Sequence, residues 1–477
     1  MGSLKKNIIY QSAYQILLII MPLITSPYLS RVLGPEGLGI NSYNYSIVYY
    51  FMLFAGLGIS NYGNRSIAAS RNNLIIKSKT FWEILCAHFM LSGIVIFVYI
   101  LYGIFISDYK VVTFIQLMYL IGVFFDISWF YFGEEKFANI VFVNLVCKIL
   151  TFTSTFLFVK DENDLIIYIF IISLGYLWGY ILQWMFLPKS VIWIKPDIQG
   201  ILRHIKPMFI LFLPSIAVSL YKVMDKIMLG RISAITEVAF YTNAEDVINI
   251  PISIVGAFGT VMLSRTSNLI AKGEIDKSKS YIQDSLIVVS WLAMALMFGI
   301  SAISYNFTII FWGKEFVSCA PLISILVFTI PFITVANIVR TQYLIPNCRD
   351  LEYLFSIITG AVINFCLNFL LIPRLGAMGA AIGTLFAEAG VCIVQILFVY
   401  KEIPILKYLK CNLPYLVFGI VMYIFVNRVN SFIENKILCL FVQIITGIVI
   451  YVIPSLIYWR YFLFKTKFSE IYRKIRK

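Results

Sequence analysis

Uninterrupted apolar runs of about twenty residues restrict this chain more than any other feature of its sequence. Ile8 to Leu29 is one such run, and Leu91 to Ile106 is the core of another. Twenty helical residues rise about 30 Å, which is the hydrocarbon thickness of a bilayer. Barrel strands instead alternate apolar and polar positions over about ten residues. The runs therefore predict an all-α integral membrane fold. Composition agrees: 60% of the 477 residues are hydrophobic, 13% are charged, and the mean hydropathy is +0.88. Soluble domains carry about a quarter charged residues.

Fourteen spans are expected, beginning near residues 8, 39, 80, 112, 138, 164, 208, 240, 281, 317, 353, 378, 411 and 437. An even number puts both termini on one side. With the N-terminus in the cytoplasm, 27 Lys and Arg fall in inside loops and tails, 8 in outside loops and 3 within spans. That bias predicts cytoplasmic termini. It also accounts for the net charge of +14 without nucleic acid, since basic loops face anionic lipid. The eight cysteines form no CxxC pair and read as small hydrophobes; with only two histidines, no metal site is expected. No phosphate-binding GxxxxGK[ST] loop is present, which points away from ATP hydrolysis by that route. Transport would then draw on an ion gradient, with Na⁺ or H⁺ as coupling ion and no other cofactor.

The chain matches itself at a shift of 200. Leu29-Ser30-Arg31 meets Leu229-Gly230-Arg231, Arg65 meets Arg265, and Lys77-Ser78-Lys79-Thr80 meets Lys277-Ser278-Lys279-Ser280. Further on, a shift of 212 brings Gln183 onto Gln395, as one short insertion requires. The expected architecture is a parallel repeat of two six-helix lobes, 1–200 and 201–405, followed by two additional helices and a basic tail in 406–477. Secondary transporters use such repeats to expose a central site alternately to each side.

Charged side chains at membrane depth usually face a cavity or a partner. Lys148 lies at the centre of a span, where it either lines a cavity or pairs with an acid such as Asp126. Lys222, Asp225 and Lys226 share one helix face, as a local ion cluster or as a binding group. Glu388 sits among Gly383, Ala387, Ala389 and Gly390, so it is either packed or able to take up an ion. Asp126, Asp225 and Glu388 are the candidate ion-coupling acids. Glu83 lies nearer a span end and is expected to be solvated. Asn41, Tyr45 and Tyr49 recur every four residues beside Asn44; amides and aromatic faces suit a sugar, although aromatic residues also populate membrane belts. Pro22 and Pro27 make the first helix a candidate bending element, and Gln11, Ser12, Tyr14 and Gln15 give it a polar stripe.

Pro27-Tyr28-Leu29-Ser30-Arg31-Val32-Leu33-Gly34-Pro35-Glu36-Gly37-Leu38-Gly39 resembles the first-helix exit of bacterial polysaccharide-unit flippases of the Wzx type. These belong to the multidrug/oligosaccharidyl-lipid/polysaccharide exporter (MOP) superfamily. Asn61-Tyr62-Gly63-Asn64-Arg65, Asp225-Lys226-Ile227-Met228-Leu229-Gly230 and Gly376-Ala377-Met378-Gly379-Ala380-Ala381 are similar to later segments of that family. The resemblance implies a transport protein of the bacterial cytoplasmic membrane rather than an enzyme. Its substrate would be an oligosaccharide on undecaprenyl pyrophosphate, used in capsule or O-antigen synthesis. Its partners would be membrane lipids, a polysaccharide polymerase and chain-length proteins. Pyrophosphate would then sit on Arg31, Lys148, Lys222 and Lys226, with sugars on Asn41, Asn44, Tyr45 and Tyr49. The two helices outside the repeat are candidates to form a groove for the lipid tail. Related alternatives are a peptidoglycan-precursor (lipid II) flippase and a drug antiporter. A membrane polymerase or acyltransferase is an alternative of another class.

Overall fold

A computed structural model describes the backbone of residues 2–187 and 190–463, and their side chains except 2–19, 137, 139, 213–215, 217–218, 220–222 and 462–463. The described chain is helical almost throughout and divides into two compact units, Met1–Ala239 and Phe240–Lys477.

Unit 1 opens with α1 (Gly2–Gly56), which holds two helical arms, 2–33 and 35–56. Gly34 interrupts the helical dihedrals between them, at φ 64 and ψ −179. A left-handed φ suits glycine, and Pro35 has no amide hydrogen to lose where a new helix starts. The break is therefore at Gly34, while helical geometry runs on through Pro22 and Pro27. The rest of the unit comprises α2 (Ile59–Ser70), α3 (Leu74–Phe105), α4 (Lys110–Phe124), α5 (Ser128–Gly133), α6 (Phe137–Phe158), α7 (Leu165–Ile181) and α8 (Ile198–Ile232). It ends in the first turn of α9 (Ile235–Ala271). Between α1 and α2, Gly58 has φ +71, and a Cβ there would lie 2.6 Å from the Met208 carbonyl of α8. Only glycine lets those two backbones approach so closely.

Unit 2 contains most of α9, then α10 (Ile275–Phe311), α11 (Cys319–Leu326), α12 (Thr329–Val339), α13 (Asp350–Leu375), α14 (Ala377–Val399), α15 (Ile405–Lys410), α16 (Leu413–Val429) and α17 (Lys436–Tyr458). α13 and α14 pack along a stripe of small residues, Gly379, Gly383 and Ala387, the close-packing device of membrane helices. α16 and α17 pack on α10, held by an amide clasp. In it Asn306 Nδ2 donates to Asn430 Oδ1 at 2.6 Å and to Gln443 Oε1 at 3.1 Å.

Ten described helices are long and apolar enough to cross a membrane. The two arms of α1, α8 and the shorter apolar α16 cover the remaining four expected spans. The repeat also appears in where helices begin. The second arm of α1 and α9 start at 35 and 235, α3 and α10 at 74 and 275, α6 and α13 at 137 and 350, and α7 and α14 at 165 and 377. Both repeats place a non-glycine residue at φ 57 in the turn before the fifth span, Glu135 in one and Cys348 in the other.

Candidate functional site

The candidate residues with described side chains, Glu388 excepted, fall in unit 1, so that unit can be built as a site by itself. α6 is 22 residues long and Lys148 is at its middle, about 15 Å from either end at 1.5 Å per residue. The side chain is exposed, and among the described residues no acid pairs with it. The pairing considered with Asp126 is not formed. Asp126 instead accepts the Ser128 backbone N–H at 2.8 Å, in the turn between α4 and α5. A lysine at this depth cannot face hydrocarbon at acceptable cost, nor reach an interface by snorkelling.

On α8, Asp225 is buried and Lys226 half-buried, and each interacts with the second arm of α1. Asp225 lies within electrostatic reach of Tyr50, and Lys226 within reach of Tyr45. The Tyr50 hydroxyl donates to the Ser219 carbonyl at 3.1 Å, tying the arm to α8. The Lys222 side chain lies outside the described residues. Arg31 is exposed one turn before the Gly34 break, with Nη1 donating to the Pro27 carbonyl at 3.0 Å.

Of the residues expected to meet sugar, Tyr45 is 38% exposed and Tyr49 half-buried. Asn41 is half-buried as well. Asn44 is buried, and its Nδ2 donates to the Ile40 carbonyl at 2.8 Å, so it serves the helix wall. Tertiary structure adds tyrosines that the sequence reading left aside. The Tyr45 ring meets Tyr119 of α4 at 5.4 Å, and Tyr119 meets Tyr176 of α7 at 5.0 Å. Tyr176 meets Tyr180 at 5.0 Å, with their hydroxyls 3.2 Å apart. The i, i+4 spacing of Tyr176 and Tyr180 was the signal available in the sequence.

A second polar group occupies the end of unit 1 where α3 and α8 begin. Glu83 is fully buried, which corrects the expectation that it is solvated. Arg203 Nη2 donates to Glu83 Oε2 at 2.7 Å, and His204 Nε2 lies 3.3 Å from the same oxygen. A carboxylate only accepts, so His204 carries its hydrogen on Nε2 and takes the Tyr62 hydroxyl at Nδ1, 2.6 Å away. Nearby, Lys77 of α3 pairs with Glu134 at 3.0 Å, and Lys136 pairs with the same carboxylate at 2.9 Å. Burial raises the Glu134 carboxyl, but the two lysines outweigh it and hold the group below the ordinary glutamate value.

In unit 2, Glu388 of α14 is buried, as its small neighbours suggest. Its helix is joined to α9 through Thr384, which exchanges a 2.8 Å hydrogen bond with the Tyr241 hydroxyl.

Ten described spans, a shorter apolar helix and a six-helix repeat define a multi-pass helical membrane protein. Comparison with known proteins agrees. The lipid II flippase MurJ, in an inward closed conformation, superposes with a TM-score of 0.76 at 17% identity, over 95% of this chain and 99% of that one. An outward-facing multidrug-resistance MATE transporter of the MOP superfamily gives 0.54 at 15% identity, over 85% and 96%. A protein of Escherichia coli (strain K12) provisionally named an O-antigen transporter is 24% identical over 83% of this chain and 97% of its own length. A Shigella dysenteriae protein with the same provisional name is 23% identical over 84% and 100%. Residues 4–263 match the profile of the polysaccharide biosynthesis protein family, and the chain belongs to that family.

Proposed function

We propose that this protein is a flippase that carries oligosaccharide units linked to undecaprenyl pyrophosphate from the cytoplasmic to the outer leaflet of a bacterial inner membrane. Both termini would be cytoplasmic, and the route would be alternating access. The observation that carries this reading is Lys148, an exposed cation at the centre of a span with no described acid partner. A pyrophosphate is the kind of ligand that repays holding such a charge in the membrane. Lys226, Arg31 and Lys222 would add to the anion site, and Asn41, Tyr45 and Tyr49 to the sugar path, with Asn44 bracing the helix behind them. The provisional O-antigen transporter names of its relatives support a sugar cargo for this chain. Resetting the carrier would use H⁺ or Na⁺ on Asp225, Glu388 or Asp126. The lipid tail would stay in the bilayer, and a polysaccharide polymerase with its chain-length protein would take up the delivered unit.

The test is complementation of a strain lacking its own repeat-unit flippase, with a defined lipid-linked oligosaccharide as cargo. Wild type restores surface polymer, while Lys148→Ala and Lys226→Ala fail at equal protein level. Restoration by both variants would remove the anion site. Failure of wild type with several sugar cargoes, alongside rescue of a strain lacking its lipid II flippase, would replace this reading with peptidoglycan-precursor transport.

A further inference from the structure

Five tyrosines from three helices of unit 1 form one connected aromatic surface: Tyr45 and Tyr49 of α1, Tyr119 of α4, and Tyr176 and Tyr180 of α7. Consecutive ring centroids along it are 5.0 to 6.4 Å apart. The second arm of α1, α4 and α7 all run in the same direction, because each starts after the chain has crossed the membrane an odd number of times. Counted from those starts at 35, 110 and 165, Tyr45, Tyr119 and Tyr176 lie about 15, 13 and 16 Å deep at 1.5 Å per residue. That is the middle of a hydrocarbon layer about 30 Å thick. Interfacial aromatic belts lie at its two edges, so this surface is not a belt.

Phenol hydroxyls at mid-membrane are costly against lipid and welcome against a wet, polar ligand. The exposure is graded accordingly. Tyr45 is 38% exposed, Tyr49, Tyr176 and Tyr180 are half-buried, and Tyr119 is buried behind them. One turn from Tyr119 on the same helix face, Gln116 is fully buried, and neither its Nε2 nor its Oε1 has a hydrogen-bond partner. A buried amide left wholly unpaired marks a place where water or a ligand hydroxyl belongs.

We propose that this surface is the seat of one uncharged pyranose ring, the sugar joined directly to the pyrophosphate. The inference rests on the flippase reading and goes further, to the identity and position of one sugar. A pyranose has an apolar C–H face that lies against aromatic rings and a rim of hydroxyls that pairs with phenols and amides. Lys226, within reach of Tyr45, puts the phosphate at the edge of the surface, so the first sugar is the one that reaches the rings. Asp225, buried on α8 within electrostatic reach of Tyr50, whose ring lies 6.5 Å from that of Tyr49, disfavours a uronic acid there.

The experiment uses the full chain in lipid nanodiscs and three probes: bare undecaprenyl pyrophosphate, and the same lipid carrying a single N-acetylhexosamine or a single hexuronic acid. Wild type should bind the N-acetylhexosamine lipid about tenfold more tightly than the bare lipid, equivalent to about 1.4 kcal/mol and to one good aromatic contact. Tyr45→Ala and Tyr176→Ala should each erase most of that gain, and their monodispersity and unfolding in the same nanodiscs should match wild type. Tyr45→Phe and Tyr176→Phe should keep most of it. The hexuronic acid lipid should gain nothing. An undiminished gain in both alanine variants, an equal gain for the acid sugar, or equal wild-type affinity for sugar-bearing and bare lipid would overturn the assignment. Wild type that bound none of the three probes would overturn the flippase reading itself, and the sugar seat with it.

Discussion

Replacing the exposed member of the Glu83–Arg203 pair should harm the protein more than replacing the buried one. Glu83 has no exposed surface, whereas the Arg203 side chain is 61% exposed. Arg203→Ala strands a carboxylate among apolar neighbours with only His204 at 3.3 Å and Lys79 at 3.8 Å to compensate. Breaking a fully buried pair costs about 3–5 kcal/mol. Water at the guanidinium and the remaining cation reduce that here to about 2–3 kcal/mol. Glu83→Gln removes the charge and keeps an acceptor for His204, while the freed Arg203 turns to water, for a cost of about 1 kcal/mol. With no charge left to strand, the double variant should resemble Glu83→Gln alone, which gives a coupling of about 2 kcal/mol. Reversible unfolding in mixed micelles measures all four corners of the cycle. A coupling below about 0.5 kcal/mol, or Arg203→Ala no worse than Glu83→Gln, would show that Glu83 is not held as a buried charge.

Gly58→Ala adds a left-handed penalty to a Cβ 2.6 Å from the Met208 carbonyl; a loss of about 2–4 kcal/mol is expected in the same unfolding assay. Lys77→Met should destabilise by about 1–2 kcal/mol at neutral pH, because Lys136 still supports Glu134. The folded Glu134 titrates below its ordinary value, so this difference is complete above about pH 4.5 and fades as pH falls through the lower folded value. Asn306→Leu leaves Asn430 and Gln443 short of a donor and should cost about 1 kcal/mol, read as earlier proteolytic release of the α16–α17 pair.

The spans were readable in the sequence because a bilayer imposes a length of apolar chain that no tertiary contact can change. The expected start at 112 is observed at 110, and 378 at 377. Lys148 was readable for the same reason, since its cost follows from depth alone. What escaped depends on register between distant segments. Glu83 looked solvated because the group that buries it, around Arg203 and His204, is 120 residues away in the chain. Tyr119 and Tyr176 are ordinary apolar-run tyrosines until α4 and α7 pack, and then their depths coincide with that of Tyr45. Asp126 looked like a partner for Lys148 by depth, yet its short side chain is used locally, bonding the Ser128 N–H in the turn before α5. The break at Gly34 lies within the very motif that carried the resemblance, while helical geometry runs on through Pro22 and Pro27.

The repeat gives these residues a counterpart test, because its register is now fixed by helix starts. At the shift of 200 that joins 35 to 235, Tyr45 corresponds to Glu245; at the shift of 212 that joins 165 to 377, Tyr176 corresponds to Glu388 and Tyr180 to Cys392. Lys148, at the shift of 213 that joins 137 to 350, corresponds to Ala361. Two copies of one six-helix plan have thus diverged in opposite directions. At these positions the first copy carries two tyrosines and a lysine, suited to a glycosyl pyrophosphate, and the second carries two acids, suited to a coupling cation, while the further cations Lys222 and Lys226 belong to the second copy and Asp126 to the first. If that division governs transport, Glu245→Gln and Glu388→Gln should weaken the dependence of flipping on an imposed H⁺ or Na⁺ gradient and leave the ranking of glycolipid cargoes unchanged. Tyr45→Ala and Tyr176→Ala should reorder the cargoes and leave the gradient dependence unchanged. Proteoliposomes with a controlled gradient and two competing cargoes read both quantities in one preparation. A tyrosine variant that lost gradient dependence, or an acid variant that reordered the cargoes, would mean that sugar and ion share one site, and the divergence of the repeats would then need another cause.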